Sequence, residues 1–280
     1  MNLPSFVVDA VTEAVGAPPT GASAVGGGCI HEAARVETTA GSVFAKWSRD
    51  AASGMFEIEA SGLALLQGTG TIAVPTVLHQ EQRALVLSWI EPSSSRGLAM
   101  RDAGYRLAQL HEERGHRPGA DRDGYIGTLR QRNVSSGAMS WLEFFRAYRV
   151  EALTPCLPTS LRGRVEALDF EGLLHEPDGG CALLHGDLWG GNLVCGDDGA
   201  GWFVDPAVYC GHPEVDLAMT TLFGGFSDDF YEAYQEVAGP FDAELQDRLQ
   251  LLNVYPLLVH VSLFGGGYQI QLDAIVRRFS

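Results

Sequence analysis

The sequence predicts an α+β protein in which a small antiparallel β-rich N-terminal lobe, residues 1–88, precedes a larger helical lobe, residues 89–280. Short apolar segments broken by glycines and polar turns fill the first part of the chain. After Trp89 the segments lengthen and their apolar residues recur at helical spacing. Between the two, residues 91–97 (EPSSSRG) are polar and rich in breakers, as a hinge or linker is. A chain of 280 residues, 46% of them hydrophobic, suffices for one sizeable core or two modest cores side by side.

The elements follow in order. Residues 4–15 read as a leading helix. A glycine-rich stretch at 23–29 runs into a strand at 30–36, and Gly41 opens a second strand at 42–47. Phe56, Glu59, Leu63 and Leu66 recur at helical spacing within 55–66, and Gly68 and Gly70 stop that helix. Val74-Pro75 begins an extended segment, and 78–79 and 84–87 read as strands around a turn at 81–83. Helices are expected at 103–113, 140–153, 161–174, 215–223, 230–237 and 243–264. One β island interrupts them: a strand at 182–184, then a single hairpin, 193–195 with 202–204, turning at 196–199. No internal repeat or low-complexity segment is visible.

Composition excludes several classes. With 19 Lys+Arg against 35 Asp+Glu the net charge is −16, a field that repels nucleic acid and anionic membranes and mildly favours cationic substrates. Five cysteines without a CxxC pair argue against a disulfide scaffold or a zinc site. The first basic side chain is Arg35, so the start lacks the basic end of a signal peptide. The longest apolar run, 254–264, contains Pro256 and His260 and is too short for a bilayer. A cytoplasmic protein without a membrane or nucleic-acid partner, monomeric or weakly dimeric, is expected.

The chemistry concentrates in His185-Gly186-Asp187-Leu188-Trp189-Gly190-Gly191-Asn192, followed past the hairpin by Val204-Asp205-Pro206. Phosphoryl transfer needs such a set: an Asp to accept the proton of an attacking hydroxyl, and an Asn and a second Asp to hold the metal that neutralises the phosphates. Asp187 takes the first role, Asn192 and Asp205 the second, and their hard oxygens suit Mg²⁺. The N-terminal lobe supplies Lys46, on a strand, for the phosphates of ATP. Glu59 on the next helix is its expected partner, with Glu57 the alternative; Glu59 shares a helical face with Leu63 and Leu66. Gly26, Gly27 and Gly28 could let backbone N–H groups approach the phosphates, although no GK[ST] follows as in a Walker loop.

Taken together, HGDLWGGN (185–192), FVDPAVYCGHPEVDLA (203–218), FGGF (223–226) and LLVHVSLFGGGY (257–268) resemble the fructosamine kinase (ketosamine-3-kinase) family. GGGCI (26–30), FAKW (44–47) and MFEIEA (55–60) are similar to it too, so the likeness covers nearly the whole chain. It implies a protein-kinase-like two-lobed fold, with ATP and Mg²⁺ bound and adenine held by the backbone of Ser88, Trp89, Ile90 and Glu91. It implies as acceptor the third-carbon hydroxyl of a ketosamine (ribulosamine, erythrulosamine or fructosamine adduct), and a role in deglycation. Carried over by position, Asp187 is the base, Asn192 and Asp205 the metal ligands, and Lys46 and Glu59 the phosphate-anchoring pair.

The acceptor side is less determined. Trp189 offers a flat surface for a sugar or simply packs, and His212, Glu214 and His260 are candidates for the substrate's hydroxyls or amine. Asp216 reads as an N-cap or a brace under the catalytic loop, and His185 as structural. Cys29, beside the glycine turn, is either a small filler or a redox-sensitive thiol that could join two chains. The alternatives are a related kinase for aminoglycoside- or choline-like acceptors, and a nucleotide-binding pseudokinase.

Overall fold

The computed structural model describes residues 1–26, 31–135 and 137–280. In chain order the elements are α1 (Ser5–Val15), β1 (Pro19–Ala24), β2 (Glu32–Thr38), β3 (Gly41–Trp47), α2 (Met55–Gly68), β4 (Val77–Glu81), β5 (Ala84–Ser88) and α3 (Gly97–Glu112). Then come β6 (Gly124–Ile126), β7 (Leu129–Gln131), α4 (Trp141–Phe144), a π-helical turn (Phe145–Glu151), α5 (Thr159–Glu166), β8 (Ala182–Leu184), β9 (Leu193–Cys195), β10 (Gly201–Phe203) and β11 (Tyr209–Gly211). The chain closes with α6 (Glu214–Leu222), α7 (Asp228–Ala238), α8 (Leu245–Leu252), α9 (Val254–Phe264) and α10 (Gly267–Phe279).

The chain divides into two compact units: Met1–Leu107 with Gly191–Pro206 and Ser227–Ala233, and Ala108–Gly190 with Ala207–Phe226 and Tyr234–Ser280. The boundary expected at 88/89 therefore differs from the packing. The first unit runs on through most of α3 and takes back the later hairpin.

In the first unit five antiparallel strands lie in the order β1-β2-β3-β5-β4. Alternation along β3 sends Val43, Ala45 and Trp47 into a core with Val7, Ala10 and Val11 of α1 and Val86 of β5. The same alternation turns Lys46 to the opposite face. On α2, Phe56, Leu63 and Leu66 are buried, and Glu59 falls on their helical face, whereas Glu57 is exposed. Hairpin β9–β10 pairs Leu193 with Phe203 and Cys195 with Gly201. It is fastened by Phe203 N–H to the Ala73 carbonyl (2.8 Å) and Gly201 N–H to the Asp102 carboxylate (3.0 Å). A Cβ at Gly201 would stand 2.5 Å from the Ala103 Cβ, so only glycine lets the hairpin lie this close to α3.

The second unit is mainly helical, with two small antiparallel pairs, β6–β7 and β8–β11. Several expectations are corrected here. The helix expected at 161–174 ends at Glu166. The one expected at 243–264 is two helices broken at Asn253; Pro256 has no N–H to continue the ladder and sits instead in the first turn of α9. Helix α10 and strands β1, β6, β7 and β11 were not expected, so the region after Trp89 holds more than one hairpin. Among the described residues no helix is long and apolar enough to cross a membrane. Burial pushes the Cys181 and Cys210 thiols up to about 12 and about 11, so neither is a ready thiolate.

Candidate active site

The first unit carries a charged cluster. Lys46 Nζ lies 3.1 and 3.0 Å from the two carboxylate oxygens of Glu59 and 3.1 Å from Asp205 Oδ1. Burial works against the ammonium, but Asp205 and Glu59 outweigh it and hold Lys46 above its ordinary range. Burial also pushes the Glu59 carboxyl up to about 7, against the pull of Lys46 and with the help of Asp205. A simple ion pair would lower it instead. The difference arises chiefly from burial, to which the second carboxylate, Asp205, adds; the three groups together carry one net negative charge when ionised.

Hairpin β9–β10 brings Asn192 and Asp205 together, since each stands just outside a strand end. Val204 N–H donates to the Asn192 carbonyl at 3.0 Å, and Asn192 Nδ2 donates to the Asp205 carbonyl at 3.5 Å. That turns the amide nitrogen toward the Asp205 backbone and Oδ1 away from it. Among the described residues Asp205 is the one non-glycine in the left-handed region (φ 54°), a conformation costing about 1 kcal/mol or more. Two oxygen-bearing side chains at one hairpin mouth, in a cluster with net negative charge, fit a hard divalent cation such as Mg²⁺.

The expected adenine contacts are partly committed within the protein. Ser88 N–H donates to the Thr76 carbonyl at 2.9 Å, and the Glu91 carbonyl accepts from Asp197 N–H at 2.9 Å. Trp89 Nε1 donates to the Glu91 carboxylate at 2.9 Å, and the Arg35 guanidinium lies 5.0 Å over the Trp89 ring. Ile90 follows in the same segment. Among the described residues nothing lies within 4 Å of where a Cβ at Gly26 would stand. Gly27, Gly28 and Cys29 lie outside the described residues. His31, just beyond them, has a buried Nδ1 with no partner among the described residues, and burial followed by Lys46 lowers its ring to about 4.

The second unit carries the loop of Asp187. Past β8 the N–H groups of His185 and Gly186 each donate to the Asp216 carboxylate at 2.8 Å. Asp216, in the first turn of α6, also receives His111 Nε2 at 3.3 Å. A carboxylate only accepts here, so His111 carries its proton on Nε2 and its Nδ1 accepts from the Tyr234 hydroxyl at 3.0 Å. Asp216 is 1% exposed and acts as the brace expected of it. Gly186 has φ 81°, and a Cβ there would stand 2.2 Å from the Ala207 carbonyl oxygen. The residue before Asp187 must therefore be glycine. His185 is fully buried and accepts the Asp187 N–H on Nδ1 at 3.3 Å, a structural role. The Asp187 side chain is half-buried.

The acceptor-side candidates separate. His212 packs its ring 5.0 Å from Trp141 and 5.4 Å from His175, and burial followed by His175 lowers it to about 3. Both Glu214 oxygens are taken by the Arg248 guanidinium, at 2.7 to 3.1 Å. Both side chains are thus engaged within the protein. Ligand atoms of His175, His212 and Glu214 gather within 4.8 Å, as for a metal. However, His212 Nδ1 accepts Glu214 N–H at 3.1 Å, which puts the ring proton on Nε2, and Arg248 holds Glu214. The trio is packing.

Trp189 and His260, in contrast, belong to one half-exposed aromatic group. Trp189 meets Phe223 edge-on at 6.3 Å, and Phe223 lies 4.6 Å from His260. Tyr268 lies 4.9 Å and Phe264 5.7 Å from His260. Phe223, Phe264 and Tyr268 were not foreseen. Phe223 and Tyr268 fall beside glycine runs where no periodicity shows, although the i,i+4 spacing of His260 and Phe264 on α9 was a usable signal.

A family profile described as fructosamine kinase matches residues 5–279. A protein of Enterococcus faecium named as a ketoamine kinase is 35% identical over 90% of this chain and 93% of its own length. A chloroplastic protein of Oryza sativa named protein-ribulosamine 3-kinase is 34% identical over 95% of this chain and 80% of its own length. A crystal structure from Thermobifida fusca, named as a fructosamine-3-kinase, superposes with a TM-score of 0.83 at 32% identity, covering 98% of each chain.

Proposed function

The chain belongs to the fructosamine kinase family, and from that premise we propose that it transfers the γ-phosphoryl group of ATP to a hydroxyl of a ketosamine. The observation that carries the reading is Lys46, held at 3.0 Å by Glu59 and at 3.1 Å by Asp205, the phosphate-anchoring lysine on its helix glutamate and its metal aspartate. The relatives' names supply the acceptor class, and the rice relative's name makes the third-carbon hydroxyl and a protein-linked adduct the first ones to test.

Asp187 accepts the proton of the acceptor hydroxyl. The oxygen bonds to the γ-phosphorus, the bond from that phosphorus to the β-phosphate oxygen breaks, and ADP leaves. Lys46 steadies the α- and β-phosphates, and Gly26, Gly27 and Gly28 give them backbone N–H groups. Asn192 and Asp205 would hold Mg²⁺, which would neutralise charge on the phosphates. The brace on His185 and Gly186 fixes where Asp187 stands. Trp189 and His260 face the acceptor, and deglycation is the role that phosphorylation of such an adduct serves.

The test is ATP consumption across a panel of ribulosamine, erythrulosamine and fructosamine adducts, an aminoglycoside and choline. Turnover is expected with ketosamines only. Equal or faster turnover of an aminoglycoside or choline would overturn the acceptor, and no turnover of any would favour a pseudokinase.

A further inference from the structure

We propose that Phe223, His260 and Tyr268 form a subsite for the amine of the ketosamine: the secondary ammonium lies against the two aromatic rings and donates a hydrogen bond to His260 Nε2. This rests on the ketosamine reading above and names the part of the substrate that the site selects.

Four observations lead there. First, His260 Nδ1 lies 2.7 Å from the Pro256 carbonyl, which can only accept, so Nδ1 carries the proton. Burial lowers the ring's pKa, so the ring is neutral and Nε2 is a bare acceptor. Second, no described group meets Nε2, in a residue only partly buried. Third, the rings of Phe223 and Tyr268 flank His260 at 4.6 and 4.9 Å and stand at 82° to one another. A neutral acceptor packed between two partly buried aromatic rings suits a cation carrying N–H better than an anion. Fourth, Trp189, two residues past Asp187, touches Phe223, so the group is continuous with the catalytic loop.

Local structure explains the placement. His260 and Phe264 share a face of α9, Gly265 (φ 83°) ends that helix, and Tyr268 enters in the first turn of α10. Phe264, 45% exposed, leaves an apolar rim for the amine's own substituent. The chain's net charge of −16 favours the cation at longer range.

The experiment compares the ketoamine of fructose and n-butylamine with its ether analogue, 1-O-butyl-fructose, which keeps sugar and chain but has no cation. The wild type is expected to prefer the amine by about tenfold or more in kcat/KM. Phe223→Leu, Tyr268→Leu and His260→Phe should each shrink that ratio, chiefly through KM for the amine. Tyr268→Phe keeps the ring and should retain most of it. Circular dichroism melts confirm that each variant is folded, and the ratio within a variant cancels any loss of active protein. If wild type uses both compounds equally, or if the leucine variants keep the full ratio, the subsite is overturned and the kinase reading stands. If wild type uses neither compound, the same amine–ether comparison is made on whichever ketosamine of the panel is turned over; if none is, the kinase reading itself fails.

Discussion

Two aspartates in this chain look alike in sequence and behave in opposite ways. Asp216 is 1% exposed and accepts N–H groups from His185, Gly186 and His111. Its charge is met by fixed donors of the protein. Asp205 has a side chain 34% exposed, sits on left-handed backbone, and shares a single lysine with Glu59. A carboxylate saturated by backbone donors is scaffold. One held on strained backbone beside a second carboxylate is, on the proposed reading, a ligand for a cation. The two should therefore fail differently when altered: Asp216 through stability and position, Asp205 through chemistry alone.

The largest effect should fall on Asp187, which follows the braced Gly186 directly. Asp187→Asn should lower turnover by about a thousandfold while calorimetric ATP affinity and the melting temperature hold. A lost melting transition would put Asp187 with the scaffold residues. Next, Asp205→Asn should cost about a hundredfold in turnover with little change in melting, because Asn tolerates the left-handed backbone and Glu59 keeps Lys46. Asp216→Asn should cost about tenfold in turnover and ~1–3 kcal/mol in denaturant unfolding, since one of its donors loses a charged acceptor. Equal stability losses at Asp205 and Asp216 would erase the distinction between them.

The smallest effect is a pH dependence. His212 titrates near 3 when folded and at the ordinary 6.5 when unfolded. Between those values the unfolded chain binds the extra proton. Stability from this residue is therefore complete above 6.5 and is lost as pH falls toward 3, on the order of 1 kcal/mol per pH unit at most. His212→Phe should flatten that part of a melting-temperature profile; an unchanged slope would show that other groups set it.

The same contrast explains what could be read beforehand. Lys46, Glu59, Asn192 and Asp205 were legible because β alternation, helical spacing and a hairpin are local rules that fix which side chains share a face. Asp216 was legible as a brace from its place ahead of an apolar helix. The partners of His212 and Glu214 were not legible, because nearness to Asp205 in sequence says nothing of Trp141 and Arg248, which hold them from distant segments. The break at Asn253 was hidden because apolar residues recur closely on both sides of it. Strand β11 has only three residues, Tyr209–Gly211, too few to show a period, and β8 arrives from far upstream. Phe223 and Tyr268 acquire meaning only through His260, a contact between helices that no window of sequence contains.

The most direct test is phosphorus NMR of a mixture of the protein, Mg²⁺, ATP and a ribulosamine adduct. One new phosphomonoester resonance should grow in step with ADP in the wild type, and none should appear with Asp187→Asn over the same time. Inorganic phosphate in place of the ester, or an ester formed as fast by Asp187→Asn, would contradict it.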